Sequence, residues 1–176
     1  MPNNDDRLAA IRDELARIEE SAMYSAQTQF EQAKRWSRAN LWLGIWASVL
    51  AGLAGSLALA ETGDWGRTVA GPLALIAAVL GVILTTLNAN ARTNQASAAG
   101  NAYLSIQNDA RQARLVDLDH EPLEDMRAHL GELTARGNEQ NKTAELPSKR
   151  SYQRGKKNIN QGGQAHAVDV TRGQEP

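Results

Sequence analysis

Hydrophobic and polar positions divide this chain into an amphipathic leader, two apolar runs and a long polar remainder. From Arg7 to Ala39 there is no Gly or Pro, and Leu8, Ile11, Leu15, Ile18 and Ala22 recur at alternating three- and four-residue steps. That spacing keeps one apolar stripe on one face of an α-helix, so the pattern predicts a single long helix over 7–39. Asn4, Asp5 and Asp6 suit its start, where their oxygens cap orphan amides and their charge faces the positive end of the helix dipole. Nothing interrupts the pattern before the first apolar run, so the helix is expected to continue into it.

Leu41 to Ala60 is a run of twenty residues without a charge, and Val69 to Leu87 is one of nineteen, ten of them Leu, Ile or Val. At about 1.5 Å of rise per residue each covers the roughly 30 Å hydrocarbon core of a bilayer. Two buried helices of a soluble hairpin would ordinarily keep a polar stripe, and neither run has one. The pattern therefore predicts transmembrane helices over 41–60 and 69–87, antiparallel because only the external loop 61–68 joins them. Thr68 is placed to cap the second span and Pro72 falls in its expected first turn, where the missing N–H costs nothing. Lys34, Arg35, Arg38 and Arg92 flank the runs on the side of the termini, against Arg67 alone in the loop, which predicts cytoplasmic termini. Trp36 and Trp42 fall at that boundary and Trp65 at the other, while Trp46 lies deeper.

After the spans, 88–118 is rich in Ala, Gln and Asn, with Gly100 as its lone breaker, and Tyr103, Ile106, Ala110 and Ala113 repeat the seam of the leading helix. The two are expected to pair. A shorter helix follows from Pro122, with Leu123, Met126, Leu130 and Leu133 on one face and Gly137 as its expected C-terminal stop, and it is expected to fold back on the pair. The cytoplasmic helices are thus placed at 88–136. Residues 138–160 read as a linker with a basic segment, and 161–176 as a disordered tail.

Composition narrows the function classes. The apolar content, 42% of 176 residues, is concentrated in the two spans. A net charge of −1 gives no overall field to recruit nucleic acid or anionic lipid, so any such attraction must come from a local cluster, and nucleic acid is not expected as a partner. Absence of Cys removes disulfides, thiol nucleophiles and Cys-based zinc sites. His120, His129 and His166 are isolated, and there is no phosphate-binding loop or HExxH motif. No catalytic, cofactor-binding or metal-ligating residue is assigned, and the chain reads as a non-enzyme. Gly162-Gly163-Gln164 copies the tripeptide of peptide-release factors as a chance match in a Gly/Gln-rich segment. A cleaved signal peptide is not expected, since forty polar residues precede the first apolar run.

Neither span contains an ionisable residue, which argues against proton-coupled transport. The first places Gly44, Ser48, Gly52, Ser56 and Ala60 at strict four-residue intervals, a ladder of small side chains that admits a second helix backbone. Ala70, Ala74 and Ala78, or Ala77, Gly81 and Thr85, can answer it on the second span. Two readings stay open: packing within one hairpin, and packing between hairpins in an oligomer around a polar path. Thr85, Thr86, Asn88, Asn90, Asn94 and Gln95 form a polar collar at the end of the second span, read either as interfacial solvation or as a conduction site. Lys149, Arg150, Arg154, Lys156 and Lys157 gather five positive charges with no acid between them, either as contacts for anionic lipid headgroups or as a solvated tail.

The stretches SAQTQFEQAKRWSRANLWLGIW, NAYLSIQNDARQAR and LPSKRSYQRGKKNI, set around the close-spaced spans, resemble the SLATT family of bacterial two-span proteins over residues 1–160. The resemblance implies an effector of nucleotide-linked antiviral conflict systems, resident in the bacterial inner membrane as a multi-pass homo-oligomer. It would form pores or perturb the bilayer when a separate nucleotide-synthesising or sensor protein signals infection. The family brings no motif that assigns a catalytic or ligand-binding residue here. The expected class is an all-α integral membrane protein, a transmembrane hairpin with a cytoplasmic helical bundle. The rival expectation is a non-conducting anchor or scaffold whose helices recruit a partner protein.

Overall fold

The computed structural model describes residues 4–60 and 63–163, and every regular element among them is helical. The order is α1 (Asn4–Leu59), α2 (Gly63–Leu87), α3 (Ala89–Gln112), a π-helical turn (Ala113–Asp117), α4 (Leu123–Thr143) and α5 (Lys149–Asn160). The chain forms two compact units, one of residues 4–32 with 95–163 and the other of Ala33–Asn94. Helix α1 is unbroken through the leader and the first apolar run, as its lack of Gly and Pro before Leu41 leads one to expect, and Asp5 and Asp6 occupy its first turn.

The first unit is a helical bundle. Ile11, Leu15, Ala22 and Ala26 of α1 form one core with Tyr103, Ile106 and Ala110 of α3, Ala113 and Leu118 of the turn that follows, and Met126 and Leu133 of α4. Leu8 and Ile18 pack on the same cluster, so the seam read from the three- and four-residue steps is the core seam. Leu15 and Leu133 are fully buried, each contributing about 1.5–3 kcal/mol by removal from water. Ion pairs lie along the margins. Arg114 donates through Nε and Nη2 to Glu19 at 3.0 and 2.8 Å, Arg136 reaches Asp109 at 2.7 Å and Arg12 reaches Asp119 at 3.0 Å. Partly exposed pairs of this kind add up to about 1 kcal/mol each and fix register more than stability.

The π-helical turn closes with Leu118 N–H donating to the Ala113 carbonyl at 2.9 Å. Pro122 then serves as the N-cap of α4 and not as its first helical residue, so the helix starts one residue later than expected, with the Pro122 carbonyl accepting from Asp125 and Met126. Several sequence-based boundaries move. Helix α4 does not stop at Gly137 but runs to Thr143, so the helices expected over 88–136 extend further and the linker shrinks to 144–148. Nothing at Gly137 forces a left-handed stop, and the residues after it are polar and largely exposed, so the helix continues. The remainder of the 138–160 segment is the helix α5. Loop 61–68 is shorter than expected because α2 starts at Gly63; Glu61 and Thr62 lie outside the described residues. Pro72 therefore sits well inside α2 rather than in its first turn, a position that removes one backbone hydrogen bond and that apolar spans tolerate. The expectation of disorder over 161–176 falls mostly outside the described residues, which end at Gly163.

The second unit is the helical hairpin formed by the apolar half of α1 with α2. The structure contains two helices long and apolar enough to cross a membrane, with little of either run buried within the chain itself.

Candidate functional site

The facing sides of the hairpin follow a regular step. Leu43, Ala47, Leu50, Ala54 and Leu57 of α1 are the shielded positions, and on α2 they are Gly66, Ala70, Leu73, Ala77, Leu80, Leu84 and Leu87. Alternating steps of four and three on both strands of the hairpin are those of antiparallel helices packed knobs into holes. Of the ladder, Gly44 lies half-buried beside this seam, whereas Ser48, Gly52 and Ser56 are exposed. A Cβ on Gly44 or Gly52 would meet open space. On α2, Ala77 belongs to the shielded side, Gly81 lies half-buried beside it and Thr85 is exposed. The ladder is thus mostly turned away from the partner span of its own chain, although Ser48 shares the lining of one groove with Ala77.

The two broad faces left over have opposite relief. On one, Ala47, Ser48, Ala51, Gly55 and Ala58 of α1 and Gly71, Ala74 and Ala78 of α2 line a groove of about 710 Å³ whose walls are almost all methyl groups and hydrogens. On the other, Trp42, Trp46, Val49 and Leu53 form an exposed ridge on α1, at steps of four, three and four, and Ile76, Val79 and Ile83 form one on α2. Helical geometry places these ridges on the side opposite the groove, because positions three and four apart stack on one face.

At the end of the hairpin nearest residue 40, Asn40 Nδ2 donates to Asn90 Oδ1 at 3.1 Å. The Arg92 guanidinium lies 4.9 Å from the centre of the Trp36 ring, with that of Arg35 at 5.8 Å. Arg92 Nε also donates to the Leu87 carbonyl at 3.2 Å, satisfying an orphan acceptor at the end of α2. Asn88, with φ of 43°, is the left-handed residue that separates α2 from α3, a conformation Asn adopts more readily than most side chains. The hydroxyls of Ser56, Thr85 and Thr86 each bond a carbonyl one turn back in their own helix at 2.8 Å. Asn88, Asn90, Asn94 and Gln95 of the polar collar are exposed.

The five cations of the sequence are on α5. Ser148 is the N-cap: its Oγ accepts from Ser151 N–H at 3.2 Å and lies 2.9 Å from Ser151 Oγ. At the other end Gly162, with φ of 80°, supplies the left-handed turn, and Gly163 N–H donates to the Asn158 carbonyl. The glycine pair of the release-factor-like tripeptide is therefore a helix C-cap, while Gln164 lies outside the described residues. Helix α5 packs on α1 through small and polar groups. Ser151, 1% exposed, donates through Oγ to Gln32 Oε1 at 2.7 Å, and Gly155 lies against Thr28. All five cations are exposed and none has a partner among the described residues.

The stretch of α1 under α5 was not legible as buried. Gln27, Thr28, Gln29, Glu31 and Gln32 are each less than a tenth exposed, although their residue types read as solvated. Gln29 Nε2 donates to the Glu145 carbonyl at 3.0 Å, and the Thr28 hydroxyl bonds the Tyr24 carbonyl at 2.7 Å. Two small clefts flank the hydrogen bond from Tyr103 Oη to Asn141 Oδ1, 2.7 Å long. Burial pushes the Tyr103 phenol above its ordinary value of 10.0. Among the described residues no cluster of His, Cys, Asp or Glu could hold a metal ion. Comparison with protein families, with curated proteins and with solved structures gives no match.

Proposed function

We propose that the chain is a membrane effector: its hairpin crosses a bacterial inner membrane twice with both termini cytoplasmic, and hairpins from several copies assemble to form a pore or to perturb the bilayer. The observation that supports this reading is the opposite relief of the two broad faces, groove on one and ridge on the other. In lipid there is no hydrophobic force between spans, so association rests on close packing, and small residues opposite bulky ones supply it. Ridge-to-groove contact is heterologous, since each copy offers a different face to each neighbour, and such contacts close into rings or run on as open chains. A ring is needed, because two helices cannot enclose an aqueous path. The SLATT resemblance adds the setting, a conflict system in which a separate nucleotide-synthesising or sensor protein supplies the trigger.

Dye release from vesicles holding the purified protein, and depolarisation of cells on induction, test the reading. Gly55→Leu fills the groove and Trp46→Ala removes part of the ridge, and neither residue belongs to the seam within the hairpin. Each variant should insert normally yet lose both cross-linked oligomer and leakage. Equal parts of the two should regain a cross-linked pair, ridge of the first in groove of the second, without leakage. If wild-type protein permeabilises no membrane under any trigger, the non-conducting anchor replaces the effector. For the topology, cysteine at Gly63 should react with an impermeant reagent from outside and cysteine at Ala9 should not; the reverse pattern overturns it.

A further inference from the structure

Helix α5 combines features that an ordinary solvated helix lacks. Its cations surround the outward surface: Arg150, Arg154 and Lys157 lie along one flank at steps of four and three, and Lys149 and Lys156 along the other. There is no acidic residue between Lys149 and Asn160 to offset them. Elsewhere in the bundle Arg12, Arg114 and Arg136 are matched with carboxylates, whereas the five cations of α5 stand together with no carboxylate among them. The helix is also preformed. Ser148 caps one end, Gly162 ends the other, and Ser151 and Gly155 seat it on α1, so presenting this charge requires no folding step.

We infer that the outward face of α5 is a docking surface for anionic lipid headgroups. The inference rests on the membrane-spanning reading, which brings a bilayer to the same chain. Helix α5 is seated on α1 at Thr28 and Gln32, and Gln32 precedes the apolar run that opens at Leu41 by nine residues. Nine residues reach no further than about 30 Å even fully extended, so the seat of α5 is tethered within that distance of the span. The mode of contact is also determined. A helix that inserts into a bilayer needs an apolar face, whereas α5 seats Ser151 and Gly155 on α1 and turns outward a cationic surface on which Tyr152 is the exposed large apolar side chain. Contact is therefore made by charge at headgroup level, without insertion, and its strength follows salt: the screening length shrinks from about 10 Å at 0.1 M to about 3 Å at 1 M.

Because the chain lacks cysteine, the exposed Gln153 can be replaced by a single cysteine bearing an environment-sensitive dye in the full chain. The labelled protein is placed in vesicles of phosphatidylcholine alone, or with a third phosphatidylglycerol, each carrying a headgroup spin label as quencher. Quenching is expected only with the anionic lipid and should be reversed by 1 M salt. Each single Lys or Arg→Gln change in α5 should weaken the contact about fivefold, and the quintuple variant should abolish it, with circular dichroism confirming that the helix persists. Equal quenching in both vesicles, or quenching indifferent to the quintuple change, overturns the inference. So does absence of quenching combined with cation-dependent binding of a fluorescent DNA duplex, which would assign the face to nucleic acid. Resistance to alkaline carbonate extraction reports on the spanning reading separately. If the protein is extracted, that reading fails, and quenching by added anionic vesicles still decides the role of α5.

Discussion

Gly155 meets the backbone of Thr28 so closely that a Cβ on the glycine would stand 3.0 Å from the Thr28 nitrogen and 3.2 Å from its Cα. The obstacle is main chain of a long helix, which cannot turn aside as a side-chain tip can. Gly155→Leu should therefore lift α5 from α1, at a cost of about 1–3 kcal/mol for overpacking. Amide exchange over 149–160 should accelerate while that over 101–113 stays slow; unchanged protection in α5 would show that the helix is held by something other than this contact.

A second close approach joins α1 and α3. A Cβ on Gly100 would lie 2.7 Å from the Phe30 ring, so Gly100→Ala should destabilise the bundle by about 1–3 kcal/mol despite the better helix propensity of alanine. Here the obstacle is a side chain. Phe30→Leu should relieve part of the cost, and a double-mutant cycle of thermal midpoints with no coupling between the two positions would refute the contact.

The legible part of this fold was its apolar periodicity. Leu8, Ile11, Leu15 and Ile18 announce their face by spacing, and Tyr103 and Ile106 answer it, because burial of such residues requires only that they share a stripe. Gln27 to Gln32 gave no such sign. Thr28 and Gln32 are covered by α5 and Gln29 is bonded to the linker at Glu145, and α5 itself has no apolar stripe and could be read only as a cluster of charge. The available signal was indirect: Ser148 ahead of the basic run, Ser151 and Gly155 one turn apart, and Gly162-Gly163 at the end spell a capped helix with one small face. Gly137 misled in the other direction, since a glycine ends a helix only where the backbone turns left-handed, and there it does not. In the hairpin the ladder was visible, but which way it faced depended on Leu43, Leu50 and Leu57 claiming the seam, and uniform hydrophobicity conceals that choice.

Titration of Tyr103 gives a signed prediction. Its folded value is raised by burial, so the fold favours the neutral phenol. The associated stability is fully present below the ordinary value of 10.0 and is lost as pH rises through the higher folded value. Tyr103→Phe should remove that alkaline component. At neutral pH it should cost about 0.5–1.5 kcal/mol for the bond to Asn141, since exposed Asn141 can turn to water. Denaturation midpoints from pH 7 to 11 read both effects, and identical alkaline slopes for the two proteins would exclude Tyr103 as their source.

Leu15 is fully enclosed between α1, α3 and α4. Leu15→Ala should leave a cavity and cost about 2–5 kcal/mol, and Leu15→Asp, with Ile18→Asp, should release the pairing altogether. The readout is amide exchange over 101–113. Protection that survives both aspartates would mean that α3 is ordered without α1.

The seat of α5 also sets an order of events during synthesis. Gln32 and Ser151 are separated by 119 positions, so at 5–20 residues per second the ribosome needs about 6–24 s to deliver the partner after the seat itself has emerged. Through that interval both apolar runs are made and must find their environment while Thr28, Gln29 and Gln32 stand uncovered. An apolar seat would spend those seconds as a sticky surface beside two others, whereas amides and a hydroxyl can wait in water without attracting the wrong helix.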